Sequence, residues 1–357
     1  MISKKDVDTV LDGYDADKIV ICTLGSHSAL QIAKGAKDEG FENLLVCTEK
    51  SASFYKKWPV VDDVLVVGSY KDILSEETQE ELMKRNAIVI PHGSFVEYVG
   101  AKNIVDSFRV PMQGNRMVLE WESDRRKQFE WFRKAGARLP KEYKSPDVID
   151  RLVMVKFPGA KGGDGYFLAR DEKEFHRKMN DARLPAQAKK GYMIQEYVIG
   201  TRFYPHFFYS PIDDSLELLG MDIRYESNID GLARIPAGAQ KDVAAEPSYV
   251  VSGNIPVVMR ESLLPALMDL GRNLVDASKK LFNPGMLGPF CVEMICTEKL
   301  EFVCFEVSAR IVAGTNLFVG GSPYSRLLYS EPMSAGRRIC REIKTAGKKK
   351  RLKEVVY

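Results

Sequence analysis

VKFPGAKGGDGY, residues 155–166, closes a β-type apolar run on Lys156 and then sets Gly159, Gly162, Gly163 and Gly165 ahead of Tyr166, where a second such run begins. Glycines let backbone N–H groups approach a polyphosphate without a Cβ in the way. A lysine on the adjoining strand supplies a compact positive charge for the same group. Lys156, Lys161, Gly162, Gly163 and Gly165 are therefore candidate triphosphate contacts. The stretch is neither a GxxxxGK[ST] loop nor a GxGxxG turn opening a helix. Taken alone, a flexible hairpin loop accounts for it equally well.

Two later segments narrow the reading. QEYVIG (195–200) runs from a strand through an acidic residue to an apolar pair and a glycine. Glu196, Tyr197 and Val198 can form an adenine slot, with backbone groups at the base edge and apolar side chains over its faces; a plain strand end fits too. GPFCVEMIC (288–296) and EFVCFEVSA (301–309) read as a hairpin around TEK, with Glu293 and Glu306 inside apolar strands. An ionised carboxylate there is costly unless it is paired or bound to metal. Two facing glutamates repel unless a cation joins them, and Mg²⁺ favours carboxylates together with substrate phosphates. Ser308, Arg310 and Asn316 follow closely enough to complete such a site. The competing reading pairs each glutamate with a buried arginine.

The first third alternates buried-strand candidates (19–24, 44–49, 64–68 and 87–91) with helical stretches, one ending at Gly40. That pattern predicts a small doubly wound parallel sheet, with ligands at the carboxyl ends of its strands. Two polar loops lie there: Gly25-Ser26-His27-Ser28 and His92-Gly93-Ser94. Residues 115–136 read as one long amphipathic helix with Gly136 as its cap. Beyond 152 the strands are spaced like hairpins (152–157 with 166–169, then 192–198 with 201–210), predicting a mixed or antiparallel sheet. A helix is expected over 261–282, and the tail GKKKRLKEVVY reads as a solvated helix end.

Fifty-two basic against 49 acidic residues leave a net charge of +3, which argues against a general nucleic-acid binder. No apolar run approaches the roughly 20 residues of a membrane span, and residues 1–18 lack the apolar core of a signal peptide. The six cysteines form no CxxC pair and read as buried thiols in a reducing cytoplasm. Four histidines make a His-based zinc site improbable.

The order of lysine strand, glycine-rich loop, Glu-x-Val hinge and paired acidic strands resembles an ATP-grasp domain. TLGSHSALQIAKGAKDEGF, VIPHGSFVEYVG, VKFPGAKGG, GMDIRYESNIDGLARIPA, SGNIPVVMRESLLP and FEVSARIVAGTN closely resemble the archaeal PurP family of that superfamily. The resemblance covers essentially the whole chain. It implies an α/β and α+β fold: an N-terminal, Rossmann-like pre-ATP-grasp domain (1–125) binding the ribonucleotide, then an ATP-grasp domain (126–357). The latter divides into a small α+β subdomain near 140–205 and a large one near 206–357 with the metal site.

The implied activity is ligation of formate to the 5-amino group of 5-aminoimidazole-4-carboxamide ribonucleotide (AICAR). ATP is co-substrate, Mg²⁺ or Mn²⁺ the cofactor, formyl phosphate the intermediate, and the formylated product (FAICAR) an intermediate of purine biosynthesis. His27, Ser94 and Asn254 look like AICAR contacts, with His27 orienting the substrate, shuttling its proton or binding its phosphate. Lys156 and the 162–165 loop look like the triphosphate clamp. Glu196 and Val198 look like the adenine hinge, with Tyr197 between them, and Glu226 like a further nucleotide contact. Glu293 and Glu306 look like the metal ligands, and Arg310 and Asn316 like neighbours of the γ-phosphate. Asp164 departs from the basic residue the family often carries there, which assigns that phosphate contact to the backbone. The implied partners are small molecules and further copies of the chain, a hexamer among the assemblies; neither nucleic acid nor membrane is expected. Two rivals are an ATP-grasp ligase acting on another carboxylate and amine, and a nucleotide-sensing relative without activity.

Overall fold

The computed structural model describes residues 1–157, 166–181, 191–240, 242–243 and 248–357. Lys161, Gly162, Gly163, Asp164 and Gly165 thus lie outside the described residues.

Four apolar segments build the first sheet: β1 (Val20–Leu24), β2 (Glu42–Thr48), β3 (Asp63–Val67) and β4 (Ala87–Val89). They are parallel, in the order β3-β2-β1-β4. Helix α1 (Ala29–Glu39) follows β1 and ends on Gly40, whose φ of +83° supplies the left-handed cap its position predicts. Helix α2 (Gly93–Val99) follows β4. β3 departs from the expectation of a buried strand. As the sheet edge it is half-covered, with Val66 46% exposed.

The single helix expected over 115–136 is two, α3 (Met117–Ser123) and α4 (Arg125–Lys134). Asp124 breaks it: its carboxylate accepts from the Arg126 and Lys127 amides and so caps α4. An aspartate that finds free N–H groups nearby competes with helix continuation, and hydrophobic periodicity does not register this.

A second, antiparallel sheet comprises β5 (Glu142–Tyr143), β6 (Val153–Lys156), β7 (Tyr166–Ala169) and β8 (Met193–Glu196), in the order β5-β8-β6-β7. Tyr143, Val153, Val155 and Ile194 face its apolar core. Alternation sends Lys156 and Gln195 to the other face.

The third sheet, also antiparallel, has the order β11-β10-β9-β12-β13. Its strands are β9 (Thr201–Ser210), β10 (Ser215–Asn228), β11 (Tyr249–Pro256), β12 (Gly288–Cys296) and β13 (Phe302–Ser308). Helix α5 (Leu264–Leu281) joins β11 to β12. The spacing of β8 and β9 predicts a hairpin, but they belong to different sheets and the chain crosses between them at 197–200. Gly200 permits the crossing, since a Cβ there would lie 2.3 Å from the Cys296 carbonyl oxygen.

Helix α6 (Ala335–Lys348) returns to pack on α1. A Cβ on Gly35 would sit 2.4 Å from the Arg337 amide nitrogen, and one on Gly336 would sit 2.5 Å from the Gln31 carbonyl oxygen, so the two backbones touch. The tail is not a solvated end. Val355, Val356 and Tyr357 are buried, and Tyr357 and Met112 exchange backbone hydrogen bonds of 2.8 and 3.2 Å. The basic run before them masks three residues whose own chemistry is to be covered. All six cysteines are free and buried, as expected. Among the described residues no helix is long and apolar enough to cross a membrane.

Candidate active site

Period-two alternation sorts the third sheet into an apolar face and a charged one. Phe203, Phe207, Met221, Phe290, Val292 and Met294 pack into the main core. The opposite face carries Arg202, Tyr204 and His206 from β9, and Asp222, Arg224 and Glu226 from β10. Asn254 from β11, Glu293 from β12, and Glu306 and Ser308 from β13 share that face.

Glu293 and Glu306 are cross-strand partners, and the register slips immediately after them, leaving Phe305 as a bulge. Bulges of this kind re-aim side chains beside functional sites. Arg224 grips both Glu293 oxygens, one at 2.9 Å, while its guanidinium lies 3.9 Å from the Tyr204 ring centroid. The buried-arginine reading therefore holds for Glu293. Glu306 forms no ion pair among the described residues, and burial with the Glu293 charge beside it pushes its carboxyl up to about 7. Lys156 approaches from the second sheet, 5.9 Å from the Phe305 ring. Burial, reinforced by the like charge of Arg125, pulls its amine down to about 8.

Further along the face Arg202 pairs with Glu226 and covers the Tyr249 ring at 4.4 Å. Tyr166 is 5.4 Å from that ring, and the Tyr197 and Tyr249 hydroxyls meet at 3.1 Å. These side chains form an aromatic and charged recess. Glu196 lies on the far side of its sheet, 3.7 Å from Arg151 and accepting from the Lys141 amide at 3.3 Å. Val198 lies half-buried on the crossing to β9.

The two polar loops of the first sheet converge on the segment after β13. His27 has a φ of +53° and stacks on His92, centroids 5.1 Å apart. Its Nδ1 meets Ser28 Oγ at 2.7 Å, and its carbonyl accepts from Asn316 at 3.2 Å. Gln31 ties the crevice from behind, donating to Thr315 at 2.6 Å and Asn316 at 2.7 Å. Ser26 donates to Ser94 at 3.0 Å. Gly93 leaves room for both neighbours: a Cβ would stand 2.8 Å from His27 Nε2 and 3.4 Å from the Arg310 guanidinium carbon. Arg310 pairs with Glu122 at 3.1 Å, and its buried Nε has no partner among the described residues. Burial holds both imidazoles neutral, His27 at about 2 and His92 at about 4. Arg310 and Asn316, expected near the γ-phosphate, thus stand against the first sheet's loops.

A protein of Methanocaldococcus jannaschii, 5-formaminoimidazole-4-carboxamide-1-(beta)-D-ribofuranosyl 5'-monophosphate synthetase, is 51% identical to this chain over 355 residues, 97% of each. The crystal structure of an IMP biosynthesis protein PurP from Thermococcus kodakaraensis superposes with a TM-score of 0.75 at 34% identity, covering 94% of this chain and all of that one.

The chain belongs to the PurP family.

PurP-family membership makes it a synthetase of the ATP-grasp type, joining carbon to nitrogen at the expense of ATP. The expected fold is confirmed too: an ADP complex of the N5-carboxyaminoimidazole ribonucleotide synthetase purK shares it with a TM-score of 0.65, at 14% identity and over 92% of this chain and 77% of that one. Residues 172–357 match a family described as a domain of unknown function (DUF1297), and residues 21–143 one described as a protein of unknown function (DUF1246). Within this PurP fold, Arg202, Tyr204, His206, Asp222, Arg224 and Glu122 share the site but escape the motif reading. The first five are visible in the sequence as polar side chains at every second position of TRFYPH and MDIRYE. Glu122 carries no such signal, because its role depends on Arg310 arriving from far along the chain.

Proposed function

We propose that this chain forms FAICAR from AICAR, formate and ATP, releasing ADP and phosphate, as a cytoplasmic step of purine biosynthesis. One observation carries the reading. In a chain 51% identical to a named FAICAR synthetase, the charged face of the third sheet carries the Glu293–Glu306 pair, Lys156 approaches it from the second sheet, and His27, Ser94 and Arg310 gather where the first sheet's loops meet the segment after β13.

In this reading residues 126–357 hold ATP and residues 1–125 hold AICAR. Lys156 and the glycine-rich loop take the triphosphate, and the Tyr197–Val198 crossing with Glu226 takes the nucleoside. The carboxylate pair fits Mg²⁺ or Mn²⁺, because Glu306 is a buried acid crowded by a second acid and Mg²⁺ needs only one or two carboxylates beside phosphate oxygens. When bound, the ion neutralises charge developing on the transferred phosphoryl group.

A formate oxygen attacks the γ-phosphorus and ADP leaves, giving formyl phosphate. The AICAR amine nitrogen then attacks the formyl carbon, the C–O bond to phosphate breaks, and the nitrogen loses a proton. That amine is a poor nucleophile because its lone pair is delocalised into the ring and carboxamide, so the protein contributes mainly position and exclusion of water. Arg310, held by Glu122 beside His27, is placed to neutralise the acyl phosphate where it meets the amine. His27, kept neutral, orients AICAR or accepts its proton. The exposed apolar side chains of Leu327 and Leu328 support self-association, which sedimentation would measure.

The test is incubation with ¹⁸O-labelled formate, ATP and AICAR. FAICAR, ADP and phosphate carrying the label are expected. Product formed without label in the phosphate would rule out direct activation of formate.

A further inference from the structure

Beneath the 3-10 turn Ala313–Phe318, a carboxylate is buried with neither a lysine nor an arginine paired to it among the described residues. Asp222 is 1% exposed. One of its oxygens meets His206 Nε2 at 2.7 Å, and the other accepts from Asn254 Nδ2 at 2.6 Å. Gly314 presses on it so closely that a Cβ there would stand 2.4 Å from Oδ1. Phe318 closes the other side, edge-on to the His206 ring at 6.0 Å. His206 Nδ1 is buried without a partner among the described residues.

A carboxylate accepts hydrogen bonds and donates none. Neighbouring groups must therefore turn their N–H toward it, since an amide oxygen facing a buried carboxylate oxygen would repel it. The orientation of the Asn254 amide, ordinarily ambiguous, is thus dictated by chemistry. Its Nδ2 is committed to Asp222, which leaves Oδ1 for whatever lies above. The same logic turns a protonated His206 Nε2 toward the acid. One buried acid thereby fixes which way the Asn254 amide faces.

We propose that Asp222 is a positioning residue that sets the specificity of the substrate site, presenting Asn254 Oδ1 as an acceptor that selects a ligand offering an N–H, as the carboxamide of AICAR does, and rejects one offering only oxygen. The inference rests on the function proposed above and adds the group that reads the substrate's 4-substituent. An acceptor meeting the 4-carboxylate analogue, in which the carboxamide nitrogen is replaced by oxygen, would face repulsion in place of a hydrogen bond. Asp222 touches neither substrate nor reacting atoms, so it acts wholly through Asn254.

The experiment is calorimetric titration of the full chain with AICAR, with its 4-carboxylate analogue and, separately, with ATP. Wild type is expected to favour the carboxamide by about 100-fold, the scale at which a buried polar site rejects a mismatched group. Asp222→Asn should cut that preference to about tenfold or less, because an amide at position 222 can face Asn254 either way round and frees it to turn. ATP affinity should stay within about twofold, since the nucleotide reading places ATP on other residues of the face. Should Asp222→Asn not fold, Asn254→Ala, at a half-buried strand position, removes the acceptor directly and should lose the same preference. If wild type forms FAICAR yet either folded variant keeps the wild-type preference, the positioning role is wrong. If wild type binds AICAR no better than the analogue and forms no FAICAR, the function proposed above fails instead.

Discussion

Glu293 and Glu306 face each other in register across the β12–β13 hairpin, yet among the described residues only Glu293 is paired with an arginine. Arg224 holds it from a neighbouring strand, while Glu306 is left buried and its carboxyl pushed up to about 7. The asymmetry makes Glu306 the group with the most to gain from a cation. Glu306→Gln should keep the fold and lower metal-dependent turnover at least about 100-fold, since a neutral amide is a poor ligand for Mg²⁺ and about 3 kcal/mol of transition-state stabilisation goes with it. Turnover of a folded variant across a Mg²⁺ titration measures this. Near wild-type rates at saturation would remove Glu306 from the ligand set.

Lys156 should take up a proton when ATP binds. Burial lowers its amine to about 8, so near pH 8.5 much of it is neutral in the free protein. Triphosphate charge beside it favours the ammonium form and draws a proton from solvent. Titration calorimetry in buffers of different ionisation enthalpy should show net uptake of up to about one proton at pH 8.5 and little at pH 6.5. Lys156→Met should abolish the uptake and weaken ATP binding. Uptake undiminished in that variant would assign the proton to another group.

His27→Ala should separate the two substrates. His27 lies in the loop after β1, stacked on His92 and bonded through its carbonyl to Asn316. AICAR affinity or amine attack should fall about tenfold or more, with ATP affinity within about twofold of wild type, as expected for sites without shared partners. If His27 is only a packing residue, both affinities and the melting temperature fall together.

His92 should make the fold acid-sensitive. Its Nδ1 accepts from the Phe95 amide at 3.2 Å and its Nε2 lies 3.0 Å from the Leu24 carbonyl oxygen, so the neutral ring caps α2 from a buried position. Its folded pKa, about 4, is below the unfolded value. Stability is then fully present above about pH 6.5 and declines as pH falls toward 4, at about 1.4 kcal/mol per pH unit for one proton taken up by the unfolded chain. His92→Asn keeps a capping acceptor but removes the titration, so its melting temperature should fall less between pH 7 and pH 5 than that of wild type. An identical fall in both proteins would place the acid sensitivity elsewhere.

Much of this was legible in the sequence because its signals are local. β-branched runs marked β1, β2 and β4, Gly40 marked the end of α1, and isolated acids in apolar strands marked the Glu293–Glu306 pair. What stayed hidden depends on partners distant in sequence. Asp124 breaks a helix whose apolar periodicity is intact. Val355–Tyr357 are covered by a segment distant in sequence, residues 112–114 with Arg116 behind it, which offers them backbone and guanidinium partners. Arg224 answers Glu293 across 69 residues, and Glu122 answers Arg310 across a longer interval. Whether a buried acid meets an arginine or a metal is decided by register, which spacing alone does not fix.

The bare backbone contact of Gly35 with Gly336 limits how the protein can breathe. With backbone against backbone between α1 and α6, and Gln31 bonded across the same junction, the two helices cannot slide past each other without breaking both contacts. The second sheet, joined to the third at the 197–200 crossing, is the remaining lever. Under the function proposed above, hydrogen exchange should slow on ATP binding in β5–β8 while β1–β4 stay as protected as before.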